Sequence, residues 1–510
     1  MSGQQNSRGG VIQFLVDNSL LLIFGAVSAL IWANAAHQNL PDSGSQDSGE
    51  RVKTSYQEFV EFDVRRLWGD GESHASLDAT SDDHADHSED ARKVWGDDES
   101  LATNNEDEAG ETHADVADHA SVGKHGDSDE HGSGGHHHWY TLSFIVNDVL
   151  MALFFAIAAK EVWESLLPGG ALSNPRKAAT PLLATLGGIL GPVAFYLAGA
   201  FGTGTYEDLG NGWAVPCATD IAFSYLIARM IFGGGHPAIA FLLLLAIADD
   251  AAGLIILAVA YPSAPIEPIW LALTAGAIAM AWTLRKFRFT SHWIYFLGPG
   301  ILSWFSFYEA NIHPALGLVP IIPMLPSAES DLGIFAREEL HRDDTLNAFE
   351  HFWKTPVEIF LGLFGLVNAG VVLSSVGPGT WIVLAGLLIG KPVGITLMTL
   401  LAEKVFRLEK PAGMDYRHIV TLGMIAGIGF TVALFVSVAA FREPGPIQDS
   451  VKMGALLSFA AAPIAIVLAK ALGVRPNDHE TNEIENEGEP LSEAELPQQE
   501  IEEPQGEPVG

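Results

Sequence analysis

The stretch PAIAFLLLLAIADDAAGLIILAVAY, residues 237–261, decides the fold class. Its 25 residues are apolar or small except for Asp249 and Asp250, the thirteenth and fourteenth. A helix rises about 1.5 Å per residue, so this one outreaches the roughly 30 Å hydrocarbon core of a bilayer. Both carboxylates then lie near the midplane, where each costs about 2.5–3.5 kcal/mol to insert. Ionisable groups in such places are functional-site candidates. Neighbouring helical residues point about 100° apart, so the two carboxylates cannot face one partner. One can pair with a cation while the other faces a cavity.

Working outward from this stretch, further apolar segments occupy 11–35, 143–166, 178–201, 212–232, 267–285, 293–309, 312–325, 356–374, 380–402, 418–441 and 453–471. The expectation is an all-α polytopic membrane protein with about twelve transmembrane helices. The pair 293–309 and 312–325 is short and interrupted by Gly298, Pro299 and Pro314, so it reads as one bent hairpin or two short helices. Lys and Arg mark the cytoplasmic loops of a membrane protein. With the N-terminus inside, the inside loops carry Arg176, Lys177, Arg285, Lys286, Arg288, Arg337, Arg342, Lys354, Lys404, Arg407, Lys410 and Arg417. The short outside loops at 202–211, 262–266 and 375–379 carry none. Both termini are therefore expected in the cytoplasm.

The whole chain of 510 residues carries 62 acidic and 27 basic side chains, a formal charge of −35, yet it is 48% apolar. The charge is not spread evenly. Residues 41–138 hold 26 acids against 7 bases, and 473–510 hold 12 against 1. The remaining 374 residues carry 24 against 19. This excludes a nucleic-acid binder and an ordinary soluble enzyme, and leaves a membrane body with two acidic appendages. Its parts are expected as 1–40, the N-terminus and first helix; 41–138, an extracytoplasmic insert; 139–472, the membrane domain; and 473–510, a cytoplasmic tail. A single cysteine, Cys217, excludes a disulfide framework and a Cys-based zinc site.

Two more ionisable groups share the depth of Asp249 and Asp250. Asp220 is the ninth residue of 212–232 and Lys391 the twelfth of 380–402. Three aspartates against one lysine leave a local surplus of negative charge that a transported cation or proton can neutralise. Spans four and eleven also look interrupted. The first carries GWAVPCATD (212–220), with Pro216 just before Thr219 and Asp220; the second carries Gly423, Gly427 and Gly429. Backbone groups freed at membrane depth are tolerated only when buried or lining a cavity. Each interrupted span is the middle one of a run of three, as expected for halves of inverted topology.

These residues carry a resemblance. NDVLMALFF (147–155), GWAVPCATDIAF (212–223), FLLLLAIADDAAGLII (241–256), NAGV (368–371), AGLLIGKPVGI (385–395) and GMIAGIGFTVALF (423–435) resemble the NhaA-type sodium/proton antiporters. The resemblance covers 11–35 and 139–472. It implies inverted-topology repeats with two crossed broken helices, spans four and eleven, and export of Na+ or Li+ driven by proton entry. The exchange would be electrogenic, without a cofactor or catalytic residue. It implies Asp250 as the main cation ligand and Asp249 as the partner of Lys391. Thr219 and Asp220 would lie at one helix break, and Gly427 and Gly429 would permit the other. Asp148 matches an acid of the outer funnel. Glu161 and Glu350, with His351 beside the latter, match acids tied to pH activation on the inner side. The setting implied is a bacterial inner membrane, with lipid around the chain. A homodimer would form through the loop after helix one, where YQEFVEFDV (56–64) is expected to be the first strand of a hairpin.

The chain also departs from that pattern. The family's LEVKREL near the inner end of span two is KEVWESL here (160–166). Glu161 is kept, Arg is replaced by Glu164, and Lys160 is new, so the pH response is expected to differ. The insert holds ten of the eighteen histidines, among them His84, His87, His136, His137 and His138. Its composition cannot form a core. A solvated loop is the plain reading; a weak external site for Zn2+, Ni2+ or Cu2+ is the sharper one. Two other functions stay open at this point: an antiporter selecting K+, and a membrane metal sensor that uses the insert.

Overall fold

A computed structural model describes residues 20–38, 53–68, 140–327, 344–408, 413–474 and 476. The chain divides into two units, residues 1–64 with 139–510, and residues 65–138. In the second unit the described residues, 65–68, belong to the 3-10 turn Val64–Trp68. The insert histidines, including His84, His87, His136, His137 and His138, lie outside the described residues, as does the tail beyond 476.

The first unit is helical, with no strand among the described residues beyond an isolated antiparallel bridge between Asp63 and Thr141. Its helices are α1 (Leu20–Gln38), α2 (Ser55–Val60), α3 (Leu142–Leu166), α4 (Pro175–Thr203), α5 (Tyr206–Cys217), α6 (Ile221–Phe232), α7 (Pro237–Ala260), α8 (Leu271–Lys286), α9 (292–309), α10 (Thr345–Asn368), α11 (Pro378–Lys404), α12 (Tyr416–Ala426), α13 (Phe430–Ala440) and α14 (Pro446–Leu472). Six of them are long and apolar enough to cross a bilayer, or eight spans if the bent pairs α5–α6 and α12–α13 are each counted once. Large apolar side chains such as Phe24, Ile255, Val259, Leu397 and Val467 are exposed along these helices. In a helix of this length and apolarity, such residues face lipid. The chain is a multi-pass membrane protein, helical throughout its described spans.

Several boundaries differ from the sequence expectation. Residues 55–60 are a helix, not a hairpin strand. Thr54 and Gln57 form a capping box around the first turn, and the Tyr56 hydroxyl reaches Leu366 O at 2.9 Å and Val367 O at 2.7 Å. The tertiary socket for Tyr56 overrides the alternating pattern of YQEFVEFDV. The ninth span begins at Thr345, capped by Asp344, and runs through Pro356. Leu346 and Phe349 bury on the core shared with α9, so this amphipathic part continues the helix. Residues 292–309 are one helical run with a π turn at Phe296–Gly300, and 314–324 form two 3-10 turns. The last span starts at Pro446.

Backbone contact sets the position of the central helices. A methyl group on Gly187 would meet Gly394 O at 2.2 Å, and one on Gly191 would meet Gly390 O at 2.2 Å. α4 and α11 therefore touch through a small-xxx-small seam, the usual means of close packing in a bilayer. Lys391 lies between two glycines of that seam.

Candidate functional site

The two broken pairs meet at their breaks. α5 and α6 bend by 54° across residues 218–220, and α12 and α13 by 49° across residues 427–429. The freed backbone groups answer one another: Asp220 N–H donates to Ile428 O at 2.7 Å. Ser224 Oγ donates to Ile425 O at 3.2 Å. The glycines at the second break serve close approach. A methyl on Gly429 would lie 2.6 Å from Ala218 O, and one on Gly427 would lie 2.6 Å from Leu387 O. Both have negative φ, so strain relief is not their role. Pro216 is buried in the 3-10 turn that ends α5, against Gly386.

Three of the expected residues converge on one oxygen. Lys391 Nζ lies 2.8 Å from Asp249 Oδ2, and Thr219 Oγ1 donates to the same oxygen at 2.8 Å. Ala426 O stands 3.2 Å from the Thr219 hydroxyl. The Lys391 ammonium, 0% exposed, also donates to Cys217 O at the C-terminus of α5. A cation there complements the negative end of a helix. Asp220 is the N-cap of α6 and accepts from Phe223 N–H at 3.4 Å and from the Thr431 hydroxyl. A carboxylate there faces the first turns of α6 and α13, where helix dipoles favour negative charge.

Asp250, one residue on, has a different environment. It is only partly buried and forms no ion pair among the described residues. Asp249, Glu161, Asp220 and Lys391 lie within electrostatic reach of it. The arrangement thus holds one neutralised carboxylate, one capped carboxylate and one carboxylate without a fixed cation. No group of three or more His, Cys, Asp or Glu side chains suited to a metal ion occurs among the described residues.

Comparison with known proteins gives the family. The family model described as Na+/H+ antiporter 1 matches residues 127–469. The chain belongs to the Na+/H+ antiporter 1 family. The Na(+)/H(+) antiporter NhaA of Jannaschia sp. (strain CCS1) is 51% identical over 368 residues, 68% of this chain and 87% of that protein. That of Geotalea uraniireducens (strain Rf4) is 48% identical over 354 residues, 68% of this chain and 90% of its own length. That of Geobacter sulfurreducens is 50% identical over 335 residues, 65% and 87% of the two chains.

The remaining expected residues of this antiporter-family chain lie apart from the central oxygen. Asp148 sits in the π turn Ile145–Leu150 of α3, 3.6 Å from His313 Nδ1, and Trp304 Nε1 donates to its carbonyl at 2.9 Å. Glu161 is in the last turns of α3. Beside it Lys160 is buried, 2.5 Å from Glu164 and paired with Glu350 of α10. His351 is exposed. Two contributors went unsingled in the sequence. Thr431 and Ser224 are small hydroxyls inside apolar runs, and only the meeting of the two breaks gives them partners. Lys160 was visible as a new charge, but its partner on α10 was not.

Proposed function

We propose that this chain is an electrogenic antiporter that exports Na+ or Li+ in exchange for entering protons, and so serves sodium and pH homeostasis. The observation that carries the reading is the unequal pair of neighbours: Asp249 holds Lys391 at 2.8 Å, while Asp250 has no fixed cation among the described residues. A dehydrated Na+ needs oxygen ligands with negative charge nearby. Asp250 supplies one, with Thr219 and the freed carbonyls around the breaks close by. When the cation arrives, Asp249 exchanges Lys391 for it. When the cation leaves, protons and Lys391 restore neutrality. A cavity neutralised by protons in one state and by the cation in the other keeps the midplane cost low in both, and more than one proton entering for each Na+ that leaves makes the exchange electrogenic.

The same reading supplies the architecture. About twelve spans form inverted repeats, with α5–α6 and α12–α13 as crossed broken helices. The chain sits in a bacterial inner membrane with both termini cytoplasmic and lipid around it. Residues 41–138 form an extracytoplasmic appendage and 473–510 a cytoplasmic one. The protein works as a homodimer joined near the loop after α1, needs no cofactor and makes no covalent intermediate. Asp148 and His313 lie on the outer path, and Glu161, Glu350 and His351 on the inner.

The test is dissipation of ΔpH in everted vesicles on adding Na+, Li+ or K+ between pH 6 and 9. Na+ and Li+ responses that vanish in Asp250→Asn are expected. Undiminished transport in that variant would remove the site assignment. A response to K+ alone would replace the cation.

A further inference from the structure

One pair of side chains outside the transport site joins two of its helices. His236 is the N-cap of α7, the helix of Asp249 and Asp250, and its Nδ1 accepts from Ala238 N–H at 3.0 Å. His418 is the third residue of α12, the first half of the second broken pair. Its Nδ1 accepts from Asp415 N–H at 3.0 Å and so closes a capping box with Asp415. The two rings lie with centroids 5.0 Å apart, tilted by 36°. Phe232, at the end of α6, stacks on His236 at 5.3 Å. Next to this pair, a methyl on Gly413 would lie 3.9 Å from Pro237 Cγ.

Imidazole is an unusual choice for both caps. A ring nitrogen accepts a hydrogen bond only while it carries no proton. Serine or asparagine at an N-cap, and glutamine at the third position, do the same work without titrating. Protonation would convert each acceptor into a donor facing an N–H group. It would also put two like charges together at the positive ends of two helices. The charged groups on the packed elements are Arg229 of α6; Lys391, Glu403 and Lys404 of α11; Asp415 and Arg417 of α12; Lys470 in the last turn of α14; Lys160, Glu161 and Glu164 at the end of α3; and Asp249 and Asp250 further along α7; α4 carries none from residue 178 onward. Burial, and then His418, hold the His236 imidazole below its ordinary range.

We propose that His236 and His418 form a proton-operated latch that ties the entry of α7 to the entry of α12 and opens when the compartment on that side turns acid. The proposal rests on the antiport reading, which puts this end in the cytoplasm. The latch links cytoplasmic pH to the second break, because α12 ends at Ala426, whose carbonyl faces Thr219. Acidification would then slow the entry of further protons. The sign follows from linkage: a histidine kept neutral in the fold loses stability for the protein as pH falls below about 6.5 toward its lowered folded value.

The experiment uses the full chain and the double variant His236→Ser with His418→Gln, which keeps both caps and removes both imidazoles. Two readouts are taken. Thermal unfolding of the purified protein between pH 5.5 and 8 needs no transport; a fall in Tm toward acid that is smaller in the variant is expected. In everted vesicles the pH of half-maximal Na+-driven transport is expected to move down by about half a unit. Identical Tm profiles would overturn the latch. A changed Tm profile with an unchanged transport profile would overturn its role in gating. Absence of any Na+ response in the parent protein would fell the antiport reading, and the link to transport with it, while leaving the Tm comparison to decide the latch.

Discussion

Lys391 Nζ stands 2.8 Å from Asp249 Oδ2 and forms no ion pair with Asp250, the next residue on the same helix. The contact is fully buried on both sides, with Asp249 2% exposed and Lys391 0% exposed. Removing one partner of such a pair leaves a bare charge in a low-dielectric interior and costs about 3–5 kcal/mol. Lys391→Ala is therefore expected to lower the unfolding temperature sharply in detergent. Asp250→Asn is expected to leave it nearly unchanged while abolishing Na+-driven transport. Equal losses of stability in the two variants would contradict the division of roles between the carboxylates.

Lys160 ties α3 to α10 through Glu350 and to its own helix through Glu164. Lys160→Met removes the cation and leaves two acids facing each other. A loss of about 1–3 kcal/mol is expected, given that both acids remain partly exposed. Lys160→Arg should restore most of it. Chemical or thermal unfolding of the two variants side by side decides the matter; a neutral methionine variant would show the triad to be incidental.

Gly394 is where α11 meets α4. A methyl there would lie 2.0 Å from Gly187 O. The helices must part, and Lys391, three residues earlier on α11, moves with them. Gly394→Ala is expected to destabilise by about 1–3 kcal/mol through overpacking and to weaken apparent Na+ affinity. Gly253→Ala, where a methyl would meet nothing within 4 Å, is the control and should fold like the parent. Yield of monodisperse protein and the Na+ concentration for half-maximal transport are the readouts.

Tyr56 anchors α2 to the end of α10. Its hydroxyl reaches Leu366 O and Val367 O and accepts from Gly370 N–H at 3.1 Å, and its ring leaves no room for a methyl on Gly370. Burial pushes the phenol up from its ordinary value, so it keeps its proton across the working pH range. Tyr56→Phe strands these buried backbone groups, at a cost of about 1–3 kcal/mol. Protease sensitivity of the 53–64 segment should rise; unchanged protection would show that α2 is held by other contacts.

Much of the site was readable in the chain itself. Asp220, Asp249, Asp250 and Lys391 stand out because charges in apolar helices are costly, and Gly427 and Gly429 because they interrupt one. Their reason was not readable. The glycines admit neighbouring carbonyls, Ala218 O and Leu387 O, rather than a left-handed backbone. Thr431 looked like any hydroxyl in an apolar run until Asp220 was found beside it. The hairpin strand expected at 56–64 failed because alternation along nine residues says nothing of a distant socket for Tyr56.

By itself the sequence determined that the chain crosses a membrane repeatedly and that four charges lie within apolar segments. Both follow from the cost of moving charge into hydrocarbon, which depends only on residue type and on position along a helix. Residue type and spacing left open which aspartate takes the lysine; the resemblance implied Asp249, and the tertiary structure places Lys391 against it. Orientation about a helix axis is fixed by what packs against it. The α4–α11 glycine seam and the meeting of the two breaks turn Lys391 and Thr219 toward Asp249 and leave Asp250 without a cation of its own among the described residues.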